Sequence, residues 1–176
     1  MIEKIKQTKP YPIILLTLVV LVSVALLMGL NTVTEPIIEA QREAAIIRIL
    51  EEIFPGMTEF VLEDGIYYIF EDDQEQGYAF IASGSGYGGE ISIMVGLDTD
   101  LLIKDISIIS QTETPGLGSR IEEEDFLAQF SGLDVPQLEL ERNQGEIDAI
   151  TGATVSSEAV VDAVREEMQD KLNVLE

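Results

Sequence analysis

Gly84-Ser85-Gly86-Tyr87-Gly88-Gly89-Glu90-Ile91-Ser92-Ile93-Met94-Val95-Gly96-Leu97 is the stretch that decides the fold. Gly84, Gly86 and Gly89 have the spacing of a dinucleotide-binding fingerprint, which requires a helix directly after the loop so that its N-terminus meets the pyrophosphate. The residues after the loop alternate instead, with Ile91, Ile93, Val95 and Leu97 recurring at period two, the pattern of a strand. Dinucleotide binding is therefore not expected here. The glycines are read as a hairpin tip or as a place where backbone approaches a ligand closely.

Outward from this stretch the pattern stays β-like on both sides. Tyr78 to Ser83 reads as a strand, and Phe60 to Leu62 and Ile66 to Phe70 form a hairpin about Glu63-Asp64-Gly65, because Asp-Gly tolerates positive φ. Downstream, Asp98-Thr99-Asp100 is a turn and Ile106 and Ile108 resume the alternation. Asp98, Asp100 and Asp105 lack the glycine and glutamate that a calcium loop needs, so a solvated turn is expected. A loop from Gln111 to Ser119 leaves the last strand, and Glu122-Glu123-Glu124-Asp125 opens a short helix ending near Phe130-Ser131-Gly132, where the macrodipole favours acids. Glu146 to Ile150 is a short strand or extended segment. Thr151-Gly152-Ala153-Thr154 then leads into a helix from about Ser156 to Leu172, with Val160, Val164, Met168 and Leu172 on one stripe. The class is α+β, with a mainly antiparallel sheet and flanking helices.

The N-terminal part differs in kind. Tyr11 to Leu30 is apolar and no charge occurs from Pro10 through Thr34. As a helix, roughly 20 residues span about 30 Å, the thickness of a hydrocarbon core. The run is too long for a cleaved signal and ends in Leu-Met-Gly-Leu-Asn-Thr rather than in small residues, so an uncleaved anchor is expected. Lys4, Lys6 and Lys9 should hold residues 1–10 in the cytoplasm, which makes 11–31 the transmembrane helix and 35–176 an extracytoplasmic domain. Thr34-Glu35-Pro36 reads as the start of a further helix, with Ile37, Ala40, Ala44, Ile47 and Leu50 on one face and Phe54-Pro55-Gly56 as its stop.

After Thr34 the chain carries 7 basic and 32 acidic side chains, within a net charge of −23 over 176 residues. Nucleic acid is thereby excluded as a partner, because nothing has the Lys/Arg density to neutralise phosphates. The absence of Cys, His and Trp removes disulfides, thiolate and imidazole metal sites, and the usual nucleophile pairs. No metal site is expected, and redox chemistry would have to come from a cofactor.

Two loops invite a ligand without requiring one. Thr151 to Thr154 places small residues and hydroxyls at a helix start, where free amides hold phosphate or where Thr154 or Ser156 merely caps the helix. Glu113-Thr114-Pro115-Gly116-Leu117-Gly118 has the proline and glycines to lie flat against a planar ligand, or to turn a corner.

Together with Gly86-Tyr87-Gly88-Gly89 and Asp148 to Ser157, these loops make the chain resemble the covalent flavin-binding family found as the G subunit of Rnf complexes and the C subunit of sodium-pumping NADH:quinone reductases. Thr151 stands where that family more usually has serine. The resemblance implies FMN esterified through its phosphate to Thr154, with Thr151, Gly152, Ala153 and Ser156 around the phosphate. It also implies Glu113, Thr114, Pro115, Gly116, Leu117 and Gly118 near the isoalloxazine ring. A magnesium-dependent flavin transferase would read Asp148, Thr151, Gly152, Ala153, Thr154 and Ser156. This accords with the residues themselves, since a chain without histidine lacks the commonest base to activate a threonine.

The implied role is electron transfer in a membrane-bound, ion-translocating ferredoxin:NAD oxidoreductase, beside other subunits with flavin or iron–sulfur centres. No catalytic residue and no complete turnover are expected from this chain alone. A length of 176 residues favours the Rnf type over the quinone-reductase type. A different class stays open: a membrane-anchored binding or assembly module, never flavinylated, whose acidic face docks a partner.

Overall fold

The computed structural model describes residues 11–143 and 145–175, so the expected cytoplasmic segment 1–10 lies outside the described residues. The chain divides into two units at Ala44/Ala45. Helix α1 covers Tyr11–Ile53. Within its first unit Pro12–Gly29 is long and apolar enough to cross a membrane, and Ile13, Leu16, Leu21, Leu26 and Met28 are all exposed. A helix that is apolar on every side and buries none of it is suited to lipid rather than water. The expected helix start at Thr34-Glu35-Pro36 is not found, because α1 is helical through all three. Proline forfeits one backbone hydrogen bond, but extending a helix already nucleated on both sides is easier than ending one and nucleating another.

The second unit is built on a five-stranded sheet in the order β1-β2-β3-β4-β5. Its strands are β1 (Glu59–Glu63), β2 (Ile66–Glu71), β3 (Gln74–Ser85), β4 (Glu90–Leu97) and β5 (Ile103–Ser110). All neighbours are antiparallel, so tight turns suffice to connect them. Asp64 and Gly65, at φ 49° and 76°, make the expected hairpin turn. Asp72 and Asp73, at φ 48° and 63°, make a second one without glycine. Aspartate tolerates the left-handed region, and this turn lets β3 begin at Gln74, well before Tyr78. Asp98 is a turn residue, its carboxylate accepting the amides of Asp100 and Leu102 at 2.9 and 3.0 Å.

Strand alternation divides the core. Ile91, Ile93, Val95 and Leu97 share one cluster with Val160, Val161, Val164 and Met168 of helix α3 (Thr154–Leu175), together with Phe126 and Phe130. Met94, Ile69 and Ala79 share another with Leu50, Ile53 and Phe54, at and just beyond the end of α1. Gly84 lets α3 approach closely, since a Cβ there would lie 2.5 Å from the Ala159 carbonyl oxygen. Helices thus cover the antiparallel sheet, as expected.

Local details differ between sheet and termini. The expected helix at Glu122 is a succession of short turns: 3-10 at Gly118–Glu122, helix α2 at Glu124–Leu127 and 3-10 at Ala128–Phe130. Phe126 and Phe130 are both buried there, and anchoring them leaves no regular stripe for a longer helix. In Glu146 to Ile150, Glu146 is a bend, Ile147 makes a parallel bridge to Leu140, and 148–150 form no regular element. α3 starts at Thr154 rather than Ser156 and runs on to Leu175.

Tyr78 on β3 donates its hydroxyl proton to Glu75 Oε1 at 2.5 Å. That bond, aided by burial, pushes the phenol up from 10.0 to about 12. The unfolded phenol releases its proton first as the medium becomes alkaline, so this contribution to stability is intact below pH 10 and lost on passing through about 12. Ultraviolet titration of wild type against Tyr78→Phe should reveal one phenol ionising in the upper part of that window. A difference spectrum centred near the ordinary value would contradict the assignment.

Candidate functional site

The site begins at the N-terminus of α3. In the turn before it, Ala153 donates its amide to the Ile150 carbonyl at 2.9 Å, and Ser157 Oγ both accepts from the Ile150 amide and donates to the Ala153 carbonyl, each at 3.1 Å. Buried Ser157 thereby pins the turn to the helix. Ser157 N is the first helical amide to reach back, to Ala153 O, and those of Thr154, Val155 and Ser156 find no backbone acceptor in the preceding turn. Three amides without a backbone acceptor at the start of a helix of 22 residues are donors of the kind that can hold an anion. Gly152 makes the entry possible: its φ is +85°, and a Cβ would meet Leu117 Cδ1 at 3.0 Å.

The loop after β5 supplies the second wall. Leu117 and Ser119 donate their amides to the Thr114 carbonyl at 3.1 and 3.2 Å, and Ser119 Oγ accepts from Gly116 N at 2.9 Å, a turn that presents Leu117. Glu113 lies in this loop and is only 5% exposed. Its Oε2 accepts the Ser156 hydroxyl proton at 2.6 Å and its Oε1 the Gly88 amide at 2.8 Å. The carboxylate thus joins this loop to α3 and to the β3–β4 tip, which is itself closed by Gly86 N on Gly89 O at 2.8 Å. A Cβ at Gly86 or Gly118 would lie 2.3 or 2.6 Å from the carboxylate oxygens, so both positions must lack one.

These elements enclose a cleft of about 450 Å³, within the range of small-molecule and cofactor sites. Of the residues singled out from sequence, Glu113, Thr114, Leu117, Gly118, Gly152, Ala153, Thr154 and Ser156 line it together. Thr151, Pro115 and Gly116 do not. Tyr87 and Val155 line it as well. Nothing in the sequence pattern marks either as a site residue, although each falls inside a motif and is a large side chain beside residues chosen for flexibility. Asp148 lies elsewhere, with its backbone held by the Gln129 side chain at 2.7 and 3.4 Å. A hydrogen bond to Asp148 raises the pKa of Glu141 there.

The cleft has no Lys, Arg or thiol among its lining residues. Its hydroxyls are not equivalent. Ser156 is buried and committed to Glu113, whereas Thr154 is half-buried and has no side-chain hydrogen bond among the described residues. Thr114 is exposed and belongs to the loop after β5. The arrangement can hold a phosphate on amides with a free hydroxyl beside it and a flat apolar group against Leu117, Val155 and Tyr87.

Residues 86–169 match the FMN-binding domain family. The chain is 36% identical over 140 residues to the G subunit of the ion-translocating oxidoreductase complex of Methanosarcina acetivorans, covering 72% of each chain. It is 37% identical over 95 residues to the G subunit of the proton-translocating ferredoxin:NAD(+) oxidoreductase complex of Clostridium ljungdahlii, covering 52% of this chain and 51% of that one. The solved C subunit of the Na(+)-translocating NADH-quinone reductase from Parabacteroides distasonis superposes with a TM-score of 0.50 at 22% identity, over 61% of this chain and 60% of that one, a likeness of fold.

Replacing Glu113 by alanine should cost about 1–3 kcal/mol, because it strips the buried Ser156 hydroxyl and the Gly88 amide of their acceptor. Glu113→Gln should recover most of this, since its carboxamide oxygen accepts from Gly88 while Ser156 reverses to accept from the NH2 group. Denaturant unfolding of the three proteins, with hydrogen exchange at Gly88, reads both effects; equal losses in the two variants would refute the bridging role.

Proposed function

The chain belongs to the family of G subunits of ion-translocating oxidoreductase complexes and carries an FMN-binding domain, and from that premise we propose that it holds FMN covalently through a phosphoester to Thr154 and relays electrons within such a complex. The observation that carries this reading is the pairing, at one point of the cleft, of an uncommitted hydroxyl with the free amides of the α3 terminus. The residues fit the group. A phosphate needs donors rather than bulk positive charge, and the amides of Thr154, Val155 and Ser156 with the helix dipole supply them in a chain of net charge −23. The flat ring needs apolar surface, and Leu117 and Val155 are 45% and 53% exposed at the same cleft.

Bound FMN would supply the reversible electron transfer. The chain's own residues tether, orient and tune. Thr154 anchors the phosphate end. Ser156 is kept from competing as an attachment point by its hydrogen bond to Glu113. Gly152 keeps the entry to α3 open, and Leu117 is held over it. The buried Glu113 carboxylate, and the acidic surface more weakly because of salt screening, disfavour added negative charge in the cleft and so lower the tendency to take up electrons.

Attachment is the work of a separate flavin transferase reading Asp148, Thr151, Gly152, Ala153, Thr154 and Ser156. The cleft supports this reading, because its one carboxylate, Glu113, is engaged with Ser156 and Gly88 rather than placed to deprotonate Thr154. The apolar part of α1 serves as a single-pass anchor with the lysines of the N-terminus inside, which sets the flavin domain outside the cytoplasm. Partners are the other membrane subunits of the complex, through their own redox centres.

Coexpression with a flavin transferase should give wild-type protein one FMN-sized mass increment and fluorescence that survives a denaturing gel. Thr154→Ala should lose both and keep the wild-type unfolding transition, with neither Thr151 nor Ser156 taking over. Wild type that stays colourless and unmodified would instead favour the assembly-module reading.

A further inference from the structure

Tyr87 has a large aromatic ring that is 79% exposed, and among the described residues it makes no hydrogen bond and stacks on no other ring. An exposed aromatic is ordinary on a mobile loop, but this one is held. Gly86 and Gly88 on either side sit where a Cβ would come within 2.3 Å of Glu113 Oε1 and 2.2 Å of the Thr112 carbonyl, and Gly88 N is bonded to the buried Glu113 carboxylate. The tip is thus clamped to the segment that forms the opposite loop of the cleft. Tyr87 lines the cleft together with Thr154 and Leu117. Holding an unpartnered aromatic group beside an apolar cleft leaves the interaction for a flat ligand, and the matched FMN-binding domain begins at Gly86.

We propose that Tyr87 packs its ring against the isoalloxazine ring of the bound flavin and is a positioning residue for it. This rests on the FMN reading above and adds to it one wall of the ring site. Glu113 serves this wall indirectly, through the Gly88 amide. Stacked π systems attract beyond the area they bury, so Tyr87 strengthens seating of the ring independently of the phosphate tether. It also brings a phenol into contact with the flavin. A phenol in contact quenches flavin fluorescence by an electron donation that reverses before anything is consumed, whereas a phenylalanine ring does not.

The test uses the full chain in detergent, coexpressed with a flavin transferase, as wild type, Tyr87→Phe and Tyr87→Leu. Intact mass reports attachment; fluorescence lifetime, before and after unfolding in urea, reports the contact. Wild type and both variants should carry the same increment, because Tyr87 is distinct from the tether. Folded wild type should be strongly quenched, with a severalfold rise on unfolding, and folded Tyr87→Phe should already be bright. In the unmodifiable Thr154→Ala chain, Tyr87→Leu should weaken binding of added FMN roughly tenfold, while Tyr87→Phe should leave it near wild type. An increment with lifetimes and affinity indifferent to residue 87 would overturn this inference alone. A wild type without any increment would overturn the covalent reading. In that case the titration of added FMN still decides whether Tyr87 meets the ring.

Discussion

The buried carboxylate of Glu113 is the constraint on which the site depends. A charge taken out of water must be met by hydrogen bonds, and here it is met by one backbone amide and one hydroxyl rather than by a cation. Those two donors come from segments 25 and 43 residues distant. One residue therefore fixes the β3–β4 tip and the first turn of α3 relative to the loop between them. The glycines at 86 and 118 follow from this, since the backbone has to come within van der Waals distance of the carboxylate. The interaction works as a knot: it is local in energy but sets the width of the whole cleft.

The proposed phosphate site is compatible with a strongly acidic protein. Long-range charge disfavours an anion, but three amides at the end of a long helix would act on it at hydrogen-bond distance, where donors outweigh a screened surface field. The same geometry also sorts hydroxyls that look alike on paper. Ser156 and Ser157 are buried with their hydrogen bonds made, and Thr154, between them and the turn, is left with its oxygen available. In the proposed attachment, selectivity comes from what the neighbours already bond.

Beneath the site, the two faces of the sheet have separate duties. The face toward α3 carries the branched residues of β4 and supports the helix whose terminus lines the cleft. The other face receives the last turns of α1 at Leu50 and Ile53, where Gly96 permits close contact, a Cβ there lying 2.5 Å from Ile53 Cγ2.

Periodicity and turn chemistry were enough to read the antiparallel sheet, the hairpin at Asp64-Gly65, the apolar span and the terminal helix, because these follow from contacts between near neighbours in sequence. The two loops that line the cleft stood out by their glycines, proline and hydroxyls. The Asp72-Asp73 turn escaped because two aspartates in the left-handed region carry no glycine to mark them. The break expected at Pro36 was a local signal overruled by helix on both sides. Tyr87 escaped because its partner is a cleft rather than a neighbour. What the sequence by itself determined is which segments are strands, which are helices and which hydroxyls are available in principle. Only the tertiary structure decided that Glu113 is buried, that it consumes Ser156, and that Thr154 and Tyr87 face one cleft, because hydrogen bonds between residues dozens of positions apart exist only once the chain has closed on itself.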